Sequence, residues 1–366
     1  MLRSVAILVL LGLLTACSPR EPLRIGFLGG LSGRVADLGE AGRNGAQIAV
    51  EEINKAGGID GRSVELVVRD DAQTPGKAIA AVNELIAARV EAIIGPMTSA
   101  MAEVVLPITE RAGIVMVSPT VTARKFFGLD DNFFLIMSST REEATLSADY
   151  HYRESGVRRV AAIYDLQNRA YTESWKEDFT IAFQKLGGSV DPVPYESGRD
   201  NDVDAIARLA LSKQPDAVLL ITSAVDATRF AQKIREHNGA LLLFASQRAT
   251  TERLIELGGK AVEGMILHNY FDQGSLTDAM VRLRRTYEER FRRTPGFAAV
   301  AAYDATHAIA GALARREGKQ ALAETLRTRG PFAGAEAGVA FDRFGDNTRR
   351  VPHVTLVRDG RFVTIR

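Results

Sequence analysis

Two hydrophobic periods succeed one another along this chain. Short apolar runs of strand type, such as "LRIGFLG" (Leu23 to Gly29) and "VELVVRD", precede stretches whose apolar residues recur three and four apart. "NGAQIAVEEINKAGG" (Asn44 to Gly58) is one such helix, closed by a Gly-Gly stop signal. "GKAIAAVNELIAAR" is the next helix, "VEAIIG" a strand, "AMAEVVLPITERAG" a helix and "IVMVS" a strand again. Such alternation predicts parallel strands sandwiched between helices.

A second series starts at "STREEATLSADYHYRESG", where Ser and Thr precede Glu in a capping-box pattern. It continues through the strand "RVAAIYD", the helix "ESWKEDFTIAFQKLGG", the strand "SVDPVPY" and the helix "DVDAIARLALSK". "DAVLLIT", "DATRFAQKIREHNG" and "ALLLFAS" complete it as strand, helix and strand. The pattern therefore predicts an α/β protein of two doubly wound, parallel-sheet units. Two long helices follow (Leu276 to Arg293, Ala298 to Arg316), and "HVTLVRDGRFVTIR" ends the chain with an Asp-Gly hairpin signal.

The length of 366 residues agrees with two units rather than one core. Hydrophobic residues at 46% and charged residues at 25% fit a globular chain. A net charge of +1 gives no polyanion signal, and the arginines of "RLRRTYEERFRR" interleave with acids as on a solvated helix face. No nucleic-acid partner is expected.

The N-terminus reads as a targeting segment. Arg3 precedes the apolar run Val5 to Leu14, half the roughly 20 residues that a membrane-spanning helix needs. "LTAC" follows, ending at Cys17, the one cysteine of the chain. It resembles the lipobox of bacterial lipoproteins, in which that thiol is acylated. Residues 1–17 are thus expected to be a signal peptide with lipobox, and the mature protein to be exported and lipid-anchored.

Several chemistries lack their signatures. "GFLGGLSGRVADLG" contains glycines but no G-x-G-x-x-G register leading into a helix, and no P-loop pattern occurs. His151, His237, His268, His307 and His353 are scattered without metal-ligand spacing. A G-x-S-x-G nucleophile motif is also missing. Binding is expected rather than catalysis, with no cofactor and no metal.

In open α/β sheets ligands bind beyond the carboxyl ends of strands, and two such sheets make the cleft between them the natural site. "IIGPMTSAM" (Ile93 to Met101) is such a strand end turning into a helix mouth, where orphan N–H groups favour an anion.

The stretch from "IGFLGGLSG" to "AAVNELI" resembles the leucine/isoleucine/valine-binding proteins, periplasmic receptors of type I fold that serve ATP-driven importers. The resemblance is carried by Leu31-Ser32-Gly33, Asn44-Gly45, Asn54 to Ile59 and Asp70-Asp71, continues in "GPMTSAMAEVVLPITERAGIVMVSP", and persists through "AVEGM" and "YDATHAI". It implies two lobes joined by a three-strand hinge, with crossings near Ser138, His268 and Arg343. Lobe 1 would hold residues 22–138 and 269–342, and lobe 2 residues 139–268 and 343–366. It also implies a monomer that closes on a small ligand and docks on a membrane permease.

The resemblance assigns the ligand carboxylate to Ser99, Thr120 and Thr122, beside Met97 and Thr98, and the covering tyrosine to Tyr171. Elsewhere the chain departs from the pattern. Leu38 replaces a flanking aromatic and Ser223 a second tyrosine. The window for the acid that meets a ligand ammonium, "FASQRAT", offers Gln247 and Arg248 instead. An unpaired buried ammonium costs several kcal/mol. The expectation from sequence is therefore a small carboxylate-bearing ligand, with an aromatic or aliphatic acid lacking the α-ammonium, a dicarboxylate or else a neutral amide fitting better than a branched-chain amino acid.

Overall fold

The computed structural model describes residues 20–366, apart from 34–35, 319 and 350–351. The lipobox cysteine, Cys17, lies outside the described residues.

Five parallel strands form the first sheet: β1 (Leu23–Gly29), β2 (Val64–Asp70), β3 (Ala92–Ile94), β4 (Val115–Ser118) and β5 (Phe133–Leu135). Their order is β2-β1-β3-β4-β5. Helices α1 (Asp37–Lys55), α2 (Pro75–Ala87) and α3 (Ser99–Ala112) alternate with the first strands. The second unit places α4 (Thr140–Arg153), α5 (Arg169–Lys185), α6 (Val203–Ser212), α7 (Ala224–His237) and α8 (Glu252–Gly258) around β6 (Arg159–Asp165), β7 (Ser189–Tyr195), β8 (Ala217–Ile221), β9 (Leu242–Ala245) and β10 (Ile266–Asn269). Its sheet runs β12-β11-β10-β9-β8-β6-β7. The last two strands, β11 (His353–Arg358) and β12 (Arg361–Thr364), are antiparallel to their neighbours. Asp359 and Gly360 turn this hairpin with φ of 51° and 66°, the left-handed pair that a tight Asp-Gly turn requires.

After β10 the chain returns to the first unit with α9 (Asp278–Phe291), α10 (Phe297–Arg315) and the short α11 (Leu322–Thr328). Helix α10 is apolar nearly all round because it is buried nearly all round, in the core that also holds Ile25, Ile94 and Val117. Each sheet carries an apolar layer on both faces, so its central strands are continuous apolar runs rather than alternating ones.

Two boundaries differ from those in the sequence pattern. The first helix starts at Asp37 rather than Asn44, and both Gly39 in its added turns and Gly45 are packing points. A Cβ on Gly39 would stand 2.0 Å from the Gly30 carbonyl oxygen, and one on Gly45 2.0 Å from that of Ala299. The third crossing falls after Asn347 rather than near Arg343. Leu135 N–H donates to the Gly345 carbonyl at 2.9 Å, and Asn347 N–H to that of Leu135 at 3.0 Å. This stretch extends the first sheet beside β5, and the chain reaches the second sheet only at His353.

Candidate functional site

The order 2-1-3-4-5 puts the switch point of the first sheet between β1 and β3, and the second sheet has its own between β6 and β8. The carboxyl ends of the two sheets face each other across a small, partly open cavity. The first unit contributes Leu38, Met97, Thr98, Ser99, Thr120, Thr122, Met137 and Phe297, and the second Glu143, Asn168, Tyr171, Gln247 and Arg248.

The turn out of β3 shapes one wall. Gly95 has φ of 122°, and a Cβ there would lie 2.2 Å from the Leu28 carbonyl oxygen, so only glycine lets the chain bend this close to β1. Thr98, not Ser99, is the cap of α3: its hydroxyl accepts from Met101 N–H at 3.4 Å. Ser99 begins the helix and accepts from Ala123 N–H at 3.4 Å, tying the α3 mouth to the loop after β4. In that loop Thr120 donates to the Met97 carbonyl at 2.7 Å. The Thr122 hydroxyl is buried and has no hydrogen-bond partner.

The opposite wall comes from the second unit. Tyr171 lies in the first turn of α5, which starts a turn earlier than the sequence pattern suggests, and is 5% exposed. Its hydroxyl sits beside Ser246 and the Arg248 backbone without a well-formed hydrogen bond. Burial, then the Glu143 charge, push its titration far above the ordinary phenol range. Asn168 reaches across the cleft, its side-chain oxygen accepting from Ala100 N–H at 3.1 Å in the first turn of α3.

Nine of the ten residues singled out in the sequence line the cavity. The tenth, Ser223, does not. It caps α7, accepting from Asp226 N–H at 3.2 Å, because a serine at a strand-to-helix junction serves its own helix first.

The structure also corrects the expectation that the cavity has no acid. Glu143 stands in it, 2% exposed, projected by α4 rather than by the loop after β9. Its carboxylate accepts from Gln247 N–H at 2.8 Å. Burial raises its titration to about 7, against the Gln247 bond and the nearby Trp175 indole. Glu143, Asn168, Met137 and Phe297 were not found from sequence. For Glu143 the signal was present: Glu143, Ser147 and His151 form a polar stripe at four-residue spacing, and all three are buried.

Behind Glu143 lies a smaller chamber at the hinge, lined by Ser138, His268, Asn269 and Pro352, where the three connections pass. His268 is buried with neither ring nitrogen bonded, and desolvation lowers its titration to about 4.

Hydrogen bonds and ion pairs hold the two units together around the cavity. At one rim Arg124 pairs with Asp178, and Arg124 N–H donates to the Ser174 hydroxyl at 3.2 Å. At the other, Thr251 donates to Asp37 at 2.7 Å, Gly296 N–H donates to Glu252 at 2.7 Å, and Arg293 pairs with Glu256 at 2.7 Å. The cleft is closed.

A family model described as periplasmic binding protein matches residues 22–365. The chain belongs to the periplasmic binding protein family. Among its relatives is a Leu/Ile/Val-binding protein homolog of Brucella melitensis, 28% identical over 74% of this chain and 73% of that protein. Another is a leucine-, isoleucine-, valine-, threonine- and alanine-binding protein of Pseudomonas aeruginosa, 23% identical over 94% and 92%. A leucine-binding protein of Thermotoga maritima superposes with a TM-score of 0.86 at 25% identity, covering 94% of this chain and 98% of its own. A branched-chain amino acid binding protein of Streptococcus pneumoniae, solved with isoleucine, superposes at 0.85 with 20% identity, over 94% and 99%. The family and its type I fold agree with the resemblance in the sequence, and the relatives are binding proteins of transporters rather than enzymes.

Proposed function

We propose that this protein is the extracytoplasmic substrate-binding component of an ABC importer. It captures a small carboxylate-bearing ligand between its lobes and presents the closed form to a membrane permease. The observation that carries the reading is the closed interlobe cavity at the α3 mouth, where the buried Thr122 hydroxyl lacks a partner beside Ser99. A buried hydroxyl without a hydrogen bond is costly, and a ligand carboxylate would satisfy it. Relatives named for leucine, isoleucine and valine favour an amino acid. A solute-binding protein of R. palustris, solved with benzoate on the same fold at 20% identity, favours keeping an organic acid as the second reading.

The lobes of this reading are residues 22–138 with 269–349, and 139–268 with 353–366. The tether is lipid on Cys17, and the working form a monomer. The test is thermal unfolding of a soluble form starting at Ser18, against amino acids, aromatic and aliphatic acids, dicarboxylates and amides. A ligand at 100 times its Kd adds about 2.7 kcal/mol and raises the midpoint visibly. A carboxylate-bearing ligand should do so, and Ser99→Ala should shrink the shift. A panel without any shift would contradict the reading.

A further inference from the structure

We propose that Glu252 is a proton-linked latch at the rim of the cleft. It takes up a proton as the lobes meet, so acid tightens closure and alkali loosens it, whatever the ligand. The inference rests on the lobes opening and closing, as proposed above.

The rim contacts exchange groups between the two units. Asp37 opens α1 in the first unit, and Glu252 opens α8 in the second. Thr251, just before α8, donates its hydroxyl to Asp37 at 2.7 Å instead of capping its own helix. Glu252 reaches the other way and accepts from Gly296 N–H at 2.7 Å, at the cap position of α10. Its carboxyl group packs directly on that backbone, since a Cβ on Gly296 would stand 3.2 Å from the Glu252 carboxyl carbon. The first unit therefore displaces the water around this carboxyl, and opening the cleft restores it. Closing also brings Glu252 under the influence of the Asp37 carboxylate. Lost hydration and a like charge both disfavour the ionised form.

Burial, with the Asp37 charge, raises the titration of Glu252 to about 7 in the closed form, against the bonds from its own N–H and Gly296 and against the Arg293 charge. Exposed in the open form, the group returns to its ordinary 4.5. The closed form thus keeps a proton that the open form has released above 4.5. Its contribution to closure is full below 4.5 and is lost as pH rises through 7. Arg293 after α9 and Arg253 on α8 pair with Glu256 at 2.7 and 3.0 Å, and Arg43 lies on α1; these guanidinium groups stay charged throughout. Tyr287 on α9 stays neutral, held well above its ordinary range by burial and then by the Glu252 charge. Glu143 in the cavity also titrates near 7, but its partners Gln247 and Trp175 belong to its own unit.

The experiment is fluorescence energy transfer across the cleft without added ligand. Cys17 is the one cysteine of the chain, so the soluble form starting at Ser18 takes dyes only at introduced thiols. Lys77→Cys and Asp200→Cys put them on exposed residues beyond β2 and β7, the edge strands of the two sheets. The closed-to-open ratio should fall as pH rises from 5, by up to about tenfold per unit, and level above 7. Glu252→Gln still accepts from Gly296 N–H but cannot ionise, so it should stay closed at pH 8 and lose most of the fall. Asp37→Asn removes the like charge, so its fall should end at a lower pH. A wild-type ratio that is flat or rises with pH, or a Glu252→Gln protein that follows the wild-type fall, would overturn the inference. Arg124→Ala, at the opposite rim, should open the cleft at every pH. If it changes the transfer while pH does not, the lobes move and the latch alone fails. If neither changes the transfer, the reading of moving lobes fails with it.

Discussion

Ser99, Thr120 and Thr122 came from the family resemblance, since position alone reads them as cap and turn residues, and all three line the cavity. Glu143 was hidden by its surroundings. "STREE" supplies two adjacent acids, of which Glu142 completes the capping box, bonding Ser139 N–H at 2.9 Å. Only the buried stripe through Ser147 and His151 shows that its neighbour faces inward. Thr122 offers a test that separates binding from stability. Its hydroxyl has no partner in the empty protein, so Thr122→Val should leave the unfolding midpoint unchanged or slightly raised. Ligand affinity should drop about three- to tenfold, the value of one neutral hydrogen bond. Asp304 tests burial in the core. It accepts from Ala335 N–H at 2.7 Å and from the Tyr270 hydroxyl at 2.8 Å, and burial raises its titration to about 7. The folded chain thus keeps a proton that the unfolded chain has lost above about 4. That contribution to stability is full below 4 and disappears as pH rises through 7. Asp304→Asn should flatten the stability profile over this interval, measured by denaturant unfolding at several pH values.

Among elements, strands and long amphipathic helices were legible because period and stop signals agreed, and the Asp-Gly hairpin turned where its residues demand. The sequence reading began helix α1 at Asn44 and left out the turns that hold Gly39 and Gly42. Gly39 and Gly45 are contact points, since α1 lies against the Gly30 and Ala299 backbones more closely than any side chain allows. Gly45→Ala should therefore push α1 from α10 and cost about 1–3 kcal/mol. Gly76→Ala, in the first turn of α2 with open space around it, should instead stabilise by about 0.5–1 kcal/mol. Thermal midpoints moving in opposite directions would confirm both. The same midpoint change for both glycines would contradict the packing account.

At the scale of the molecule, two units were evident from the doubled strand–helix series, but their closed arrangement was not, because contacts between units leave no period in a sequence. The third crossing was misplaced for the same reason: residues 345–347 join β5 through backbone bonds that no side chain announces. Ligand binding and closure share one equilibrium, so contacts at the rim tune affinity without touching ligand. Arg124→Ala removes the pairing with the buried Asp178, at a guanidinium about one-third exposed. With solvent screening allowed for, a loss of about 1 kcal/mol would weaken affinity roughly fivefold. Small-angle scattering should show a larger radius of gyration at subsaturating ligand.

The central claim is that one cavity between the sheets holds the ligand. A crystal structure grown with the compound that most raises the unfolding midpoint tests it directly. The account predicts that compound enclosed between the lobes, its carboxylate within hydrogen-bond distance of Ser99 and Thr122 and its other end toward Glu143. A ligand bound elsewhere, with this cavity empty and closed, would contradict it.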